Sequence, residues 1–376
     1  MRNIHITELP TDRTYVQFSK EFHQKFFNVI KKGRFEEINY KFFGCKLNYN
    51  TFKQWRQRKN FLPLWYVLKH QEIFVKNMPL TIVEKNIIAY KGPSSSTIIK
   101  FPNFPLQEDK RMIKILAHLI GDGSVSGAFG TALPKGKSHS EYRNFSNYLL
   151  DSFVQDIQIF GQFDVSINYK HGHVIVPNLI GYILKHLYQI KFDTFNSRLP
   201  ASLFNSEPEL AAAFIRAFAD DEAHVYDSSI EFYSANKELL KDISYLIRQK
   251  FPVFDISNIK KNSLGGKNPK YSFSVLKDSL ESFRNLIGFD CPNKKERLRY
   301  SIERRKLYQT FRINKNVPFL INKMLHKEPK VAYEIAKELM ISHRHALRVL
   351  NKLEKEGEVR KLTKTTHGAW LWDSKP

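Results

Sequence analysis

The sequence predicts an α+β fold made of two similar halves, with a helical addition before them and a further small unit after them. Three observations predict it. Apolar helices of one kind occur twice, ILAHLIGDG at residues 115–123 and IRAFADDEA at residues 215–223, each closing on acid beside small residues. The same order of helix and strand signals occurs in residues 101–200 and again in 201–300, and a repeat of that length implies a pseudo-twofold object. The chain of 376 residues, 42% hydrophobic and 14% aromatic, is long and apolar enough to fold around a sizeable core.

The elements follow in order. Residues 14 to about 88 read as helical, because Phe18, Phe22, Phe26, Val29 and Ile30 recur at the spacing of one buried helix face. In NYNTFKQWRQRKNFLPLWYVLKH, Thr51, Lys53, Gln54, Arg56 and Arg58 project around Phe52 and Trp55. Pro63 then stands near the first turn of a further helix. A helix, a turn and a second helix carrying Arg, Gln and Thr suit the DNA-reading half of a helix-turn-helix. An ordinary helical bundle with a solvated basic face suits them equally. KGPSSS reads as a linker that closes an N-terminal unit of residues 1–92.

In the first half HVIV is a strand ended by Pro177, and NLIGYILKHLYQI is the helix after it. In the second half IEFYS and YSFSVL are short strands separated by the helix ANKELLKDISYLIRQKF. Residues 315–376 predict a winged helix-turn-helix. VPFLINKMLHKEP is a helix ended by Pro329, VAYEIAKELM is a second, and Ser342 caps a third that Gly357 stops. Ala346, Leu347, Leu350 and Leu353 give the third helix a core face, and VRKLTKTTHGAWLW supplies two strands of a wing. Ser342, His343, Arg344, His345 and Arg348 are its candidate DNA contacts, and protein docking is the other use of such a unit. Met340 occupies a turn position where a small residue is usual.

Charge narrows the partners. Sixty basic and 37 acidic residues leave a net +23, which attracts polyanions, nucleic acid first among them. Cys45 and Cys291 are the only cysteines, which excludes a zinc finger or a disulfide framework and points to a reducing compartment. The first residues lack the apolar core of a secretory signal, and no stretch approaches a membrane span. The expectation is a cytoplasmic, nucleoid-associated protein with no membrane partner.

Ala117 and Gly121 are four apart on one stripe, and Ala213 and Ala217 repeat the spacing. Small residues so placed let two helix backbones approach closely. Packed by those faces, the helices bring their last turns together and Asp122 meets Glu222. Two carboxylates about 4 Å apart near a protein surface repel by about 4 kcal/mol, so a shared proton or a divalent cation must offset them. Oxygen ligands suit Mg²⁺, which completes its shell with water and phosphate oxygens. Beside a basic surface that outlines phosphodiester hydrolysis, with a metal-activated water and a stabilised leaving oxygen.

The two segments resemble the paired motifs of the LAGLIDADG homing endonucleases, in the single-chain form that carries both copies. The resemblance covers residues 101 to 300 and includes FYSANKELLKDI and CPNKKERLR. It places Asp122 and Glu222 at the essential acidic position of each copy, and Asp220 at the first acidic position of the second. It implies a pseudo-twofold saddle of two αββαββα halves, with the motif helices at its centre and two curved antiparallel sheets in the DNA major groove. It further implies a monomer whose motif acids bind Mg²⁺ (or Mn²⁺) and cut both strands of double-stranded DNA. Gly123 closes the first motif, whereas Ala223 replaces that glycine in the second, followed by His224. Asp221 stands where a small residue normally permits close contact, and Ile120 replaces the first acid of copy one. Family members use basic residues near the metals. Lys191 and Lys294 are the nearest matches, as water-ordering groups or as phosphate contacts. His118 reads as a packed or surface residue, not a ligand.

Three functions compete. Acids kept in both motifs favour a site-specific, metal-dependent DNA endonuclease. Flanking DNA-reading modules resemble those of the WhiA regulators, which join a LAGLIDADG-like domain to a helix-turn-helix and would bind without cutting. An RNA-splicing maturase is the third use of the fold.

Overall fold

The structure, a computed structural model, describes residues 2–29, 48–75, 77–93, 95–125, 140–262, 269–310, 317–365 and 369–375. Its N-terminal region is not all-helical as the periodicity predicts. Strand β1 (Arg2–Ile4) is followed by β2 (Tyr15–Phe18), α1 (Lys20–Asn28), α2 (Tyr49–Arg56), β3 (Leu62–Pro63), α3 (Leu64–Phe74), α4 (Leu80–Lys85), β4 (Ile87–Lys91), β5 (Ile99–Lys100) and β6 (Leu106–Glu108). A four-stranded sheet of order β3-β2-β4-β5 frames the helices. Phe18 belongs to β2, where Val16 and Phe18 are buried and Tyr15 and Gln17 are half-buried, the alternation of a strand. Ser19 then caps α1 by accepting from the Phe22 amide. The spacing of Phe18, Phe22 and Phe26 therefore runs across a strand–helix junction. Their rings still meet, at 4.9 and 5.1 Å from Phe18. Val29 closes α1 and is 43% exposed, which removes it from the predicted buried face. Ile30 lies outside the described residues.

KGPSSS is not a linker between units. Its described residues lie at and after the end of β4 and before β5, and these two strands pair antiparallel, Ala89 with Lys100 and Tyr90 with Ile99. Gly, Pro and Ser serve a reversal as well as a linker, and only the strand partner separates the two. β1 pairs with β6, the Tyr90 hydroxyl donates to the Phe160 carbonyl at 2.8 Å, and one hydrophobic core runs from Ile4 to Ile302. The packing thus crosses the boundary expected at residue 92.

The halves repeat one another. The first runs α5 (Lys110–Gly121), β7 (Gly123–Ser124), β8 (Ser140–Arg143), α6 (Asn147–Ile157), β9 (Ser166–Asn168), β10 (His173–Val176) and α7 (Asn178–Tyr188). After α8 (Ala201–Phe204) the second runs α9 (Pro208–Glu222), β11 (Ala223–Tyr226), β12 (Ser229–Ser234), α10 (Lys237–Lys250), β13 (Lys260–Asn262), β14 (Lys270–Leu276) and α11 (Leu280–Leu286). Both are αββαββα, and their antiparallel sheets have the same order, β7-β8-β10-β9 and β11-β12-β14-β13. Alternation decides which faces are buried. Tyr142, Val174 and Val176 in one sheet, and Ile230, Phe232 and Phe273 in the other, are buried on the helix side. α5 and α9 pack on each other at the centre, and α12 (Pro292–Thr310) follows the second half.

Beyond it stand α13 (Val317–Leu325), β15 (Lys330–Val331), α14 (Ala332–Glu338), α15 (His343–Lys355), β16 (Val359–Lys364) and β17 (Trp370–Ser374). They have their own core around the buried Trp372 and a three-stranded sheet of order β15-β17-β16. α13 ends at Leu325, short of the expected stop at Pro329. Met340, between α14 and α15, sits at φ 55, in the left-handed region that penalises a Cβ. Met340→Gly is expected to stabilise this unit by about 1 kcal/mol in urea unfolding followed by tryptophan fluorescence. A lower midpoint would mean that the Met340 side chain contributes more than its backbone costs.

Candidate active site

Ala117, Ala213 and Ala217 are buried, as the stripe of small residues requires. Gly121 shows how close the helices come. A Cβ there would stand 3.2 Å from Asp221 Oδ2 and 3.6 Å from Glu222 Cγ, so the last turn of α9 lies directly against α5. At Gly123 a Cβ would fall 2.4 Å from the Leu119 Cα, which only glycine avoids as the chain turns from helix to β7. Asp122 caps α5, its amide bonding the His118 carbonyl at 3.2 Å, and Glu222 ends α9.

Both acids are shifted upward, and the charge of Asp122 acts on Glu222. Burial, then the charge of Asp221, pushes the Asp122 carboxyl up to about 7. Burial, then the charges of Asp122 and Asp221, pushes Glu222 up to about 8. Lys294 opposes both shifts. Among the described residues neither carboxylate has a hydrogen-bond or ion-pair partner, and Lys294 opposes their charge without pairing with either. Nor is any group of three or more His, Cys, Asp or Glu among these residues placed to hold a metal. Two carboxylates with open sides do fit Mg²⁺ or Mn²⁺, which take one or two protein oxygens and leave the rest to water and phosphate. A cavity of about 470 Å³ opens beside Glu222, lined by Gly121, Gly123, Ser124, Asp193, Thr194 and Ser234 among others.

Behind the acids lies a network that the sequence reading missed. The Asp221 side chain is fully buried and ties the halves together. Its Oδ2 stands 2.8 Å from His118 Nδ1, and its Oδ1 accepts from the Tyr142 hydroxyl at 2.7 Å and the Asn144 amide at 3.1 Å. All three partners belong to the first half. Burial pulls His118 down, but the charge and hydrogen bond of Asp221 outweigh it and leave the imidazole raised above its ordinary value. His118 is thus a packed residue with a specific partner. The strand alternation that turns Tyr142 and Asn144 inward was the available signal. Lys114 adds a second tie, 3.0 Å from both Asp156 in the first half and Asp290 after the second.

Asp220 turns away from the centre. Its carboxylate accepts the amides of Asp290 and Cys291 at 2.9 and 3.0 Å, just ahead of α12. Burial holds its carboxyl up at about 6, against those two amides. Lys294, in the first turn of α12, donates to the Ala219 and Asp220 carbonyls at 3.0 and 2.5 Å. It sits at the end of α9 beside both acids, and burial leaves its own pKa lowered. Lys191 is exposed on the chain after α7, next to the cavity-lining Phe192 but not itself a lining residue.

The expected DNA contacts stand on two helices. On α2, Lys53 and Gln54 are exposed, and Thr51 and Arg56 half-buried. Arg58, just past that helix at φ 58, donates to the Phe18 carbonyl at 3.1 Å and so holds β2. Ser342 caps α15 by accepting the His345 amide at 2.9 Å. His343, Arg344 and Arg348 are exposed there, and His345 is half-buried. No helix among the described residues is long and apolar enough to cross a membrane.

The sequence model of the LAGLIDADG-like domain matches residues 209–288. Among curated proteins, a probable translation initiation factor IF-2 of Methanocaldococcus jannaschii is 24% identical over 286 residues, 75% of this chain and 23% of that protein. A glutamine–fructose-6-phosphate aminotransferase of the same organism is 23% identical over 60% of this chain and 20% of that one. A probable IF-2 of Thermococcus kodakarensis is 30% identical over 31% of this chain and 10% of its own length. The chain therefore spans less than a quarter of each of these relatives. Among solved structures, mesophilic variants of the homing endonuclease I-DmoI align at 14% identity over 48% of this chain and 95% of theirs, with a TM-score of 0.34. I-DmoI with DNA and Ca aligns at 14% identity over 51% and 97%, with a TM-score of 0.35. Residues 209–288, which run from α9 to α11, thus carry a LAGLIDADG-like domain.

Proposed function

We propose that the chain is a site-specific, metal-dependent endonuclease of double-stranded DNA, acting as a pseudo-twofold monomer. The observation that carries this is the meeting of Asp122 and Glu222, two raised and unpaired carboxylates, at the joined ends of α5 and α9. A structural pair would be bridged by a cation or replaced by apolar residues, because leaving like charges together costs stability, whereas Lys294 donates to the Ala219 and Asp220 carbonyls and bridges neither acid. Asp122 and Glu222 would hold Mg²⁺ or Mn²⁺, which supplies an acidified water and charge stabilisation at the phosphate. The Asp221 network fixes the two carboxylates relative to each other. Lys294 is placed to contact a phosphate or order a water beside them. The outer sheet faces bring base-reading side chains to the duplex, and α2 and the winged helix around α15 extend the contact. The net charge of +23 supports a polyanionic partner. A further support is the distribution of relatives: a probable translation factor and an aminotransferase have unrelated activities yet share a segment with this chain. Such a distribution suits a mobile segment, which a sequence-specific cut helps to spread.

The raised carboxyls set a pH dependence. A cation must displace protons held up to about pH 7 on Asp122 and about pH 8 on Glu222. Mn²⁺ affinity is expected to rise between about pH 6 and pH 8 with proton release, and then to level off. Calorimetric titration in buffers of different ionisation enthalpy measures both, and a flat affinity would contradict shared binding by these two acids. The function itself is tested by incubating the protein with a genomic fragment library and Mg²⁺, reading retained fragments and new ends. Defined ends support the endonuclease. Retention without ends identifies a WhiA-like binder, and no retention removes both.

A further inference from the structure

Phe145 is 96% exposed, more than any other large apolar side chain among the described residues. Its backbone is nevertheless pinned on both sides. The Asn144 amide donates to the Gly172 carbonyl at 2.8 Å, the Asn144 side chain donates to Asp221, and its Oδ1 accepts the Ser146 amide at 2.9 Å. Gly172 adopts φ 60, and a Cβ there would stand 2.5 Å from the Asn144 carbonyl oxygen, so this approach is built for glycine.

Along β8, Ser140 and Tyr142 are buried on the helix side, Glu141 and Arg143 lie on the outer face, and Asn144 just past the strand reaches Asp221. Phe145 follows in the bend between β8 and α6, where its exposure shows that the ring faces solvent. Ser124, two residues after Asp122, pairs with Glu141 on that face, and the Arg143 amide bonds the Asp122 carbonyl at 3.1 Å. The second half shows what the position borders. Ala235 immediately precedes Asn236, the cap of α10, as Phe145 immediately precedes Ser146, the cap of α6. Ala235 lines the cavity beside Glu222. Phe145 therefore takes, on the Asp122 side, the place that a small residue takes on the Glu222 side.

We infer that Phe145 is a wedge that enters a base step of the bound duplex beside Asp122 and unstacks it, while Ala235 leaves the step beside Glu222 stacked. This rests on the reading of the chain as a duplex-DNA endonuclease. Rigid apolar side chains inserted between base steps kink DNA, and pyrimidine–purine steps yield most readily. Phe145 thereby selects a deformable step near the cleavage centre without any hydrogen bond to it.

The test uses the full chain and a duplex recovered from the fragment library, with 2-aminopurine placed in turn at each central position and divalent metal withheld to prevent cutting. On saturation with wild type, fluorescence is expected to rise severalfold at one or two adjacent positions on one side of the centre. Phe145→Ala is expected to bind about tenfold more weakly, as loss of a base–aromatic stack implies, and to give no rise at saturation. Phe145→Trp is expected to restore the rise, and all three proteins should melt alike because the ring packs on little else. A rise that persists in Phe145→Ala overturns the wedge, and so does wild-type binding with no rise at any position. A wild-type chain that binds no duplex fails at the function and takes the wedge with it.

Discussion

Asp122→Asn and Glu222→Gln are each expected to leave the duplex bound and to lower its cleavage by about a thousandfold or more. Each amide keeps the shape of the side chain but removes a charged oxygen from the cation. Charge stabilisation by a catalytic metal is worth several kcal/mol, and about 4 kcal/mol is a factor of roughly a thousand in rate. Under the proposed function binding is expected to survive, because it would rest on the basic surface and the sheet faces, and the substitutions remove negative charge that an anionic partner would meet. Single-turnover cleavage and a filter-binding titration separate the two effects. A variant that cuts at the wild-type rate would remove that acid from the metal site.

Asp221→Ala carries the largest expected loss of stability, about 3–5 kcal/mol, because it breaks a buried ion pair and strands its partners. His118, Tyr142 and Asn144 would all lose a bond, and the halves would lose a direct tie at their centre. Asp221→Asn keeps the shape: its oxygen accepts from Tyr142 and Asn144, and its amide donates to neutral His118. It should cost only about 1 kcal/mol. The pH dependence has a definite sign. His118 is raised above its ordinary value of 6.5 in the folded state. The charged pair therefore contributes in full below about pH 6.5, and its contribution is lost as pH rises through the raised value. The stability lead of wild type over Asp221→Asn should shrink accordingly. Thermal unfolding of the three proteins across pH measures this, and a lead that grows with pH would contradict a protonated His118 in the native pair.

Much of the scaffold could be read from the sequence. The motif helices announce themselves because small, apolar and acidic residues coincide at helical spacing, and few other structures need that combination. The strands of the halves were legible wherever alternation was clean, as in HVIV and IEFYS. The i, i+4 spacing of Phe18 imitates one helix face because it persists across a strand that runs straight into a capped helix. KGPSSS suits a turn and a linker alike because the two share their chemistry. The Asp221 network was illegible for a different reason: Tyr142 and Asn144 lie 79 and 77 residues away, and sheet register alone brings them to it. The two lysines show the limit of matching by position. Both follow a half of the repeat, yet only Lys294 stands in a helix whose start Asp220 anchors beneath the acids. Lys191 has no such helix and stays at the surface.

The proposed function requires that one cation be shared by the last turns of two helices from different halves. Mn²⁺ soaked into crystals of the DNA complex, located by its anomalous scattering, shows directly where the cation sits. A peak within coordination distance of both Asp122 and Glu222 carboxylates and a phosphate oxygen is the expected result. Mn²⁺ bound elsewhere, with those two side chains facing only water, would contradict it.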